Sequence, residues 1–469
     1  AEWRQGLNNP PEFVPAKIRT VYQFYKPEKT QFMPRLGLAW RITEDWVVRS
    51  GFGIFYNVHQ LNNYTILNLN PPLSGSSQFS NTARNGVLVP GTTVYSFSNP
   101  FGAVNPASPT NANVLNTDNF QPYVTQWSLD IQRRLPWRAT LTVGYVGNKT
   151  THLDNTVEKN NPDPFIPSGP QDTVQSRRPI QFIVDNGIVR PLTRMRFLDS
   201  GANAWYNGLQ VSLRKEYSHG LVYTLAYTFS KSLMEGYGRN EGDGINPNTY
   251  QNPRNRAADK GRVGWDARHV AVMSFIYDVP TPPALSRGVA GVIFSGWQAN
   301  GIVTLRSGFP FTVTQGNIIN TANSPVRPDR VGSGKLETRT LQKWFDPDAF
   351  RLVSCVNSSI PETCHYGNSG VGILEGPGFK NVDFSTFKNF RLAESVRLQF
   401  RAEFFNFFNT PQFGVPNRSL STQSGFQPVR GSDGQLRWPS QAGITGGPGA
   451  ITSLIAPMRN IQFGLKLLW

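Results

Sequence analysis

Large apolar residues recur at every second position along much of this chain. In RLGLAWRI, Leu36, Leu38, Trp40 and Ile42 alternate with Arg35, Gly37, Ala39 and Arg41. In TLTVGYV, Leu141, Val143 and Tyr145 alternate with Thr140, Thr142 and Gly144. LVYTLAYTFS sets Leu221, Tyr223, Leu225, Tyr227 and Phe229 against Thr224, Ala226, Thr228 and Ser230. VRLQFRAEF is the clearest case: Val396, Leu398, Phe400, Ala402 and Phe404 face one way, and Arg397, Gln399, Arg401 and Glu403 the other. A period of two places successive side chains on opposite faces of a sheet.

About eleven such segments can be traced, most reaching the roughly 9–11 residues with which a tilted strand crosses a bilayer. They start near residues 33, 46, 123, 138, 205, 220, 265, 296, 380, 395 and 460. In the segment near 380, Val382 and Phe384 fall out of step with Phe387, which predicts a bulge or bend. Helical periodicity is confined to ALSRGVAGVIF.

The links divide into two classes. TED (43–45), PW (136–137), SHG (218–220) and AES (393–395) fit tight hairpin turns, with 280–295 a longer member of the same class. The links 58–122, 150–203, 235–264, 309–379 and 409–459 are long and rich in Asn, Gly, Pro and Ser. Short and long alternate strictly. Outer-membrane barrels have this asymmetry, with tight periplasmic turns and long outer loops, whereas a soluble sandwich has no reason for it. The fold class expected is therefore all-β, an antiparallel transmembrane β-barrel with long extracellular loops.

Single-chain bacterial barrels have an even strand number and both ends on the periplasmic side. Here the first strand leads into a short turn and the last follows a long loop, leaving an odd count. Residues 31–469 are accordingly expected to be the C-terminal part of a barrel, and residues 1–30 the remnant of an extracellular loop.

Placing Arg or Lys on the lipid face at midplane costs roughly 2–4 kcal/mol. That turns Arg49, Asp130, Gln210, Arg214, Gln298, Arg306, Arg397, Arg401 and Glu403 toward the lumen. Trp127, Leu129, Val211, Leu213, Val303 and Leu305 then face lipid. Arg401 and Glu403 share a face and are expected to pair across strands or through water. Trp46, Tyr123, Trp205, Trp265, Trp297 and Trp469 lie near strand ends, where barrels carry aromatic girdles; stacking on sugars is the alternative.

Composition adds limits. No stretch approaches the roughly 18 uninterrupted apolar residues of a membrane-spanning helix, which says nothing against a barrel. The net charge of +16 is scattered rather than gathered into an arm or helix face, so no nucleic-acid partner is expected. Anionic lipopolysaccharide or an anionic ligand fits it better. Cys355 and Cys364 would close a small loop in an oxidising compartment. Free thiols are the alternative, and adding His365 does not complete a tetrahedral metal shell. GSGK (332–335) resembles a phosphate loop, but Asp329 stands where its first Gly belongs and Leu336 where Ser or Thr does. No catalytic, cofactor-binding or metal site is expected.

Several stretches carry a family resemblance: FMPRLGLAWRITEDWVVRSGFGIFYN, YNGLQVSLRKEYSHGLVYTLAYTFSKSL, GWDARHVAVMSFIYDVP, GWQANGIVTLRSGFPFTV and FRAEFFNFFNTPQFGVPN, with the ending IQFGLKLLW. In order and spacing they resemble the C-terminal barrel portion of TonB-dependent outer-membrane receptors, in the Oar-like group with a carboxypeptidase-regulatory-like domain. The resemblance implies 22 strands, about half of them upstream. It also implies a signal peptide, an N-terminal domain with a TonB box, and a plug, all absent from this chain. The implied function is energy-coupled uptake of a bulky nutrient at the bacterial outer membrane, without enzymatic activity. Implied partners are outer-membrane lipid, the TonB energy-coupling complex, an unknown ligand, and the barrel assembly machinery, which would read Trp469 as a terminal aromatic. WDARH implies that Asp266, Arg268 and His269 form a structural cluster at the extracellular rim. Two other readings stay open: a passive porin-like or adhesive barrel, and a secreted β-rich carbohydrate-binding protein or glycosidase.

Overall fold

The computed structural model describes residues 2–4, 12–14, 30–58, 70, 83–84, 87–88, 109–116, 119–185, 187–236, 250–322, 326–393 and 395–469. One sheet runs through them with eleven strands hydrogen-bonded in sequence order. They are β1 (Arg35–Arg41), β2 (Trp46–Tyr56), β3 (Tyr123–Leu135), β4 (Ala139–Glu158), β5 (Ile188–Ser218) and β6 (Leu221–Glu235). Then come β7 (His269–Asp278), β8 (Trp297–Arg306), β9 (Phe379–Arg391), β10 (Arg397–Phe405) and β11 (Asn460–Leu468). Every pairing along the path is antiparallel. β1 and β11 form its two edges, and among the described residues they do not pair with each other. The expectation that residues 1–30 are a loop remnant falls mostly outside the described residues.

The short links are hairpin turns with the twist that antiparallel strands favour. Trp137 and Arg138 both have positive φ (59° and 58°), as do His219 and Gly220 (52° and 75°). The longer member of this class folds into a short helix, α1 (Gly288–Phe294), where the only helical period stood.

The bulge expected near residue 380 is not there. β9 pairs with β8 from Phe379 to Lys388 and with β10 from Phe384 to Arg391 without a register shift. Phe387 is out of step because it lies on the polar face, with the Arg401 guanidinium 4.8 Å from its ring centroid. The irregularities sit in β5 instead, between Asp199 and Ala204 against β4 and between Lys215 and Ser218 against β6. β5 has 31 residues, about three times what a bilayer crossing needs, so its first half stands clear of the apolar band.

Burial is inverted relative to a soluble sandwich. The apolar side chains of the strands are exposed: Leu36 at 70 %, Phe463 at 67 % and Leu465 at 71 %. The dry core lies in the long links instead. Phe311, Val313, Phe345, Phe350, Leu352 and Leu374 form one buried cluster, and Ile319, Val326, Val353 and Cys355 a second. Ala112, Ile183 and Leu192 form a third beside the upper part of β5, against which Thr110–Leu115 pairs in parallel. Apolar area turned outward along a whole sheet face needs an apolar solvent to cover it.

Candidate functional site

The inter-strand register sorts the sequence candidates without reference to side-chain position. Read laterally, Arg49 stands opposite Asp130, Asp130 opposite Gly144, Gly144 opposite Gln210, and Gln210 opposite Thr228. The row continues through Val270 to Arg306. Arg214 lies four residues along β5 from Gln210 and so shares its face. Arg401 meets Phe387, which meets Gln298, and Glu403 and Arg397 alternate with Arg401. Arg49, Asp130, Gln210, Arg214, Gln298, Arg306, Arg397, Arg401 and Glu403 thus occupy one face. Leu129, Val211, Leu213, Val303 and Leu305 occupy the other.

The polar face is knit by uncharged partners more than by ion pairs. Arg49 donates to Gln132 Oε1 at 2.6 Å, and Arg401 to Gln399 Oε1 at 2.7 Å. Gln399 donates in turn to Asn389, and Gln298 to Asp278. Arg306 lies over Phe309 and Phe379, at 3.7 and 5.6 Å. The expected Arg401–Glu403 pairing is not among these contacts; the guanidinium is held by an amide and an aromatic ring. Asp130 owes its room to Gly144, because a Cβ there would fall 2.1 Å from its Oδ1.

Two exceptions escaped the alternation argument. On the polar face, Val222, Ile276, Ile302 and Phe387 line a cavity of about 490 Å³ together with Asp383 and Glu403. On the apolar face, register places Lys215 opposite Tyr223 and Lys388 opposite Trp297. Both lysines stand next to short turns, and both ammonium groups reach main-chain carbonyls. Lys215 donates to Ser218 O at 2.9 Å and Leu221 O at 3.0 Å, and Lys388 to Ser295 O. A cation near a strand end can send its head group to the turn while its stem stays in the apolar band.

The long links form a layer tied by arginine–carboxylate pairs between distant segments. Arg327 reaches the buried Asp259 and donates to Ser369 O at 2.7 Å. Burial pushes the Asp259 carboxyl up, and Arg327 opposes that shift. Arg262 bridges Asp266 at 2.6 Å and Glu375 at 3.3 Å, and Arg256 pairs with Asp199. Glu158, almost fully buried, accepts from the main chain of Met195 and Asn160 and from Arg194. Burial pushes the Tyr366 phenol up to about 12.

Asp266, Arg268 and His269 do lie together in sequence, yet they do not bond to one another. Asp266 accepts from Ser232 N at 2.9 Å and from Arg262, a partner that WDARH does not contain. His269 meets the Tyr227 hydroxyl at 2.9 Å and packs on Phe229. Cys355 and Cys364 are joined by a disulfide, with Cα atoms 4.5 Å apart. The neighbouring His365 donates to Asp329 at 2.7 Å. Trp469 is 89 % exposed beyond the end of β11.

A family described as "Outer membrane beta barrel domain" matches residues 5–462. No curated protein matches the chain. Among solved structures, the outer membrane transporter YddB from Escherichia coli is similar at 7 % identity and a TM-score of 0.45, over 92 % of this chain and 40 % of that one. A mutant of the ferric enterobactin receptor PfeA from Pseudomonas aeruginosa is similar at 12 % identity and a TM-score of 0.40, over 93 % and 40 %. The ferric-catecholate import receptor Fiu from E. coli gives 9 % identity and a TM-score of 0.34, over 82 % and 31 %. The chain therefore spans well under half the length of each of these three.

Proposed function

The chain belongs to the outer membrane β-barrel domain family and resides in the bacterial outer membrane, and on that premise we propose that it is the C-terminal barrel part of an Oar-like TonB-dependent receptor. In this reading residues 31–469 supply part of a larger barrel, whose remaining strands pair with the edges at β1 and β11. An edge strand left open in lipid would strand its amide and carbonyl groups without partners, and in this reading further strands supply them. The receptor takes up a bulky nutrient through the lumen, with TonB coupling supplied by a region outside these residues. Its reaction is transport, with no covalent step.

One observation carries the reading. Apolar side chains cover one sheet face, arginines and amides the other, and the described residues of the long links form a layer with dry cores of its own. A lumen-facing polar surface under such a layer suits capture followed by passage.

Planar-bilayer conductance of the whole protein provides the test. A plugged receptor conducts hardly at all and binds the periplasmic domain of TonB. Free conductance with no TonB binding would replace the uptake reading with a passive barrel. A protein that is soluble without detergent, and whose electrophoretic mobility does not change on boiling, would point to the secreted carbohydrate-binding reading.

A further inference from the structure

One cavity in the loop layer has a charge pattern unlike its surroundings. It has a volume of about 620 Å³ and lies where the end of β6 meets the link 309–379. Its lining includes Lys231, Arg268, Arg330, Lys335 and Arg339, with Trp344 in one wall. Among the described residues its lining has one carboxylate, Glu375, which is already bound by Arg262 at 3.3 Å.

Several other arginines of this layer are matched to acids: Arg177 to Asp172, Arg254 to Asp163, Arg327 to Asp259, Arg430 to Glu362. Of the six cations in the lining, Arg262 pairs with Asp266 and Glu375; among the described residues the other five have no carboxylate partner. Arg330 donates to the Gly332 carbonyl at 2.8 Å, and Arg339 lies 5.4 Å over the Trp344 ring. Like charges gathered around one space repel, and the repulsion is relieved when an anion enters.

GSGK finds a place here. Gly334 has φ 70°, and a Cβ on it would fall 2.7 Å from the Phe350 ring. Only glycine fits that turn, and the turn delivers Lys335 to the cavity wall. The segment has no phosphate-loop spacing, yet it presents a cation next to guanidinium groups. Arginine forks matched to tetrahedral oxygens, with lysines adding point charge, are the chemistry of phosphate recognition.

We propose that this cavity binds a multiply phosphorylated anion. Two sources carry that chemistry: the phosphorylated head group of an outer-leaflet glycolipid, and a free phosphorylated ligand. Register places Lys231 on the face of β6 that carries Tyr227 and Phe229, so this cation is presented where the outward apolar face gives way to the loops. Binding here needs no energy coupling, so the proposal stands or falls separately from the uptake reading.

The test is a titration of the full chain in zwitterionic detergent with inorganic tripolyphosphate, followed by calorimetry. Saturable binding is expected, weakened about tenfold or more by Arg268→Gln with Lys335→Gln, the scale of losing a charge-assisted hydrogen bond. Arg437→Gln, which removes one positive charge from an exposed hairpin and so matches the single variant Lys335→Gln, is expected to leave binding unchanged. If the double variant fails to fold, as judged by its electrophoretic mobility before boiling, Lys335→Gln alone decides, because that side chain is exposed. Competition by lipopolysaccharide, and none by its dephosphorylated form, identifies the glycolipid as the source; competition by neither identifies a free ligand. No saturable binding, or equal loss in Arg437→Gln, overturns the proposal.

Discussion

Arg327 pairs with Asp259 across 68 residues of sequence, and both side chains are buried. The same guanidinium donates to the Ser369 carbonyl, while the Arg327 main chain donates to Gln251. One side chain therefore fastens the link after β6 to two parts of the link after β8. Removing one partner of a buried pair leaves a desolvated charge, at about 3–5 kcal/mol. Arg327→Met is expected to raise hydrogen exchange across Phe345, Phe350 and Leu352 by that scale. Adding Asp259→Leu should restore most of the protection, since the double replacement leaves no orphan charge. A double variant as exposed as the single one would mean that the pair does not hold the layer.

The two faces are separable by labelling and by charge insertion. Arg49→Cys and Gln210→Cys should react with a hydrophilic maleimide through water in the lumen, and Leu465→Cys should be shielded by lipid. Val303→Arg is expected to destabilise the barrel by about 2–4 kcal/mol, while Thr304→Arg, one residue away on the polar face, should cost little. Unfolding in urea from lipid vesicles measures both. Equal costs would mean that the faces had been assigned wrongly.

The disulfide closes a short loop over the second buried cluster. A cross-link of this length is worth about 2–4 kcal/mol. Cys355→Ser with Cys364→Ser should make the link 309–379 the first site of limited proteolysis. The strands should be untouched, so the unboiled protein should keep its electrophoretic mobility.

His365 and Asp329 make that same region sensitive to pH. The hydrogen bond to Asp329 raises the His365 pKa above its ordinary value, against the lowering effect of burial. For Asp329, burial pushes the carboxyl up, but the bonds from His365 and Asn368 win and hold it below its ordinary value. The histidine's contribution is complete below its unfolded pKa and disappears as pH rises through the elevated folded value. The aspartate's is present above its unfolded pKa and is lost as pH falls through the depressed folded value. Proteolytic protection of residues 353–366 should therefore decline as pH rises past the ordinary histidine value in the wild type and lose that decline in His365→Gln. An identical decline in both proteins would assign it to another group.

Alternation located the bilayer-crossing part of all eleven strands, because lipid on one side and water on the other impose a period of two over a crossing; it placed 150–203 in a link, whereas β4 runs on to Glu158 and β5 begins at Ile188. It misread β9, where Phe387 stands on the polar face against Arg401 and breaks the period without breaking the ladder. It also missed Lys215 and Lys388, whose stems are long enough to escape the band they start in. The loop layer was illegible for a different reason. Its cores join residues as distant as Phe311 and Leu420, and its ties join Arg262 to Glu375, none of which follows from local pattern. WDARH does not contain the partner of its own acid, which is Arg262, upstream of the motif.

The dry cores of the loop layer have a consequence at the cell surface. Long links without internal packing would present linear stretches of chain to whatever meets the cell. Links that enclose Phe311, Phe345 and Ile319 present a fixed relief instead, assembled from segments far apart in sequence. Antibodies or phage that recognise this end should therefore read conformational epitopes, lost on boiling and poorly mimicked by peptides. Sequence drift there is restrained by interior packing, as it is inside a globular enzyme, and is freest on the outermost side chains.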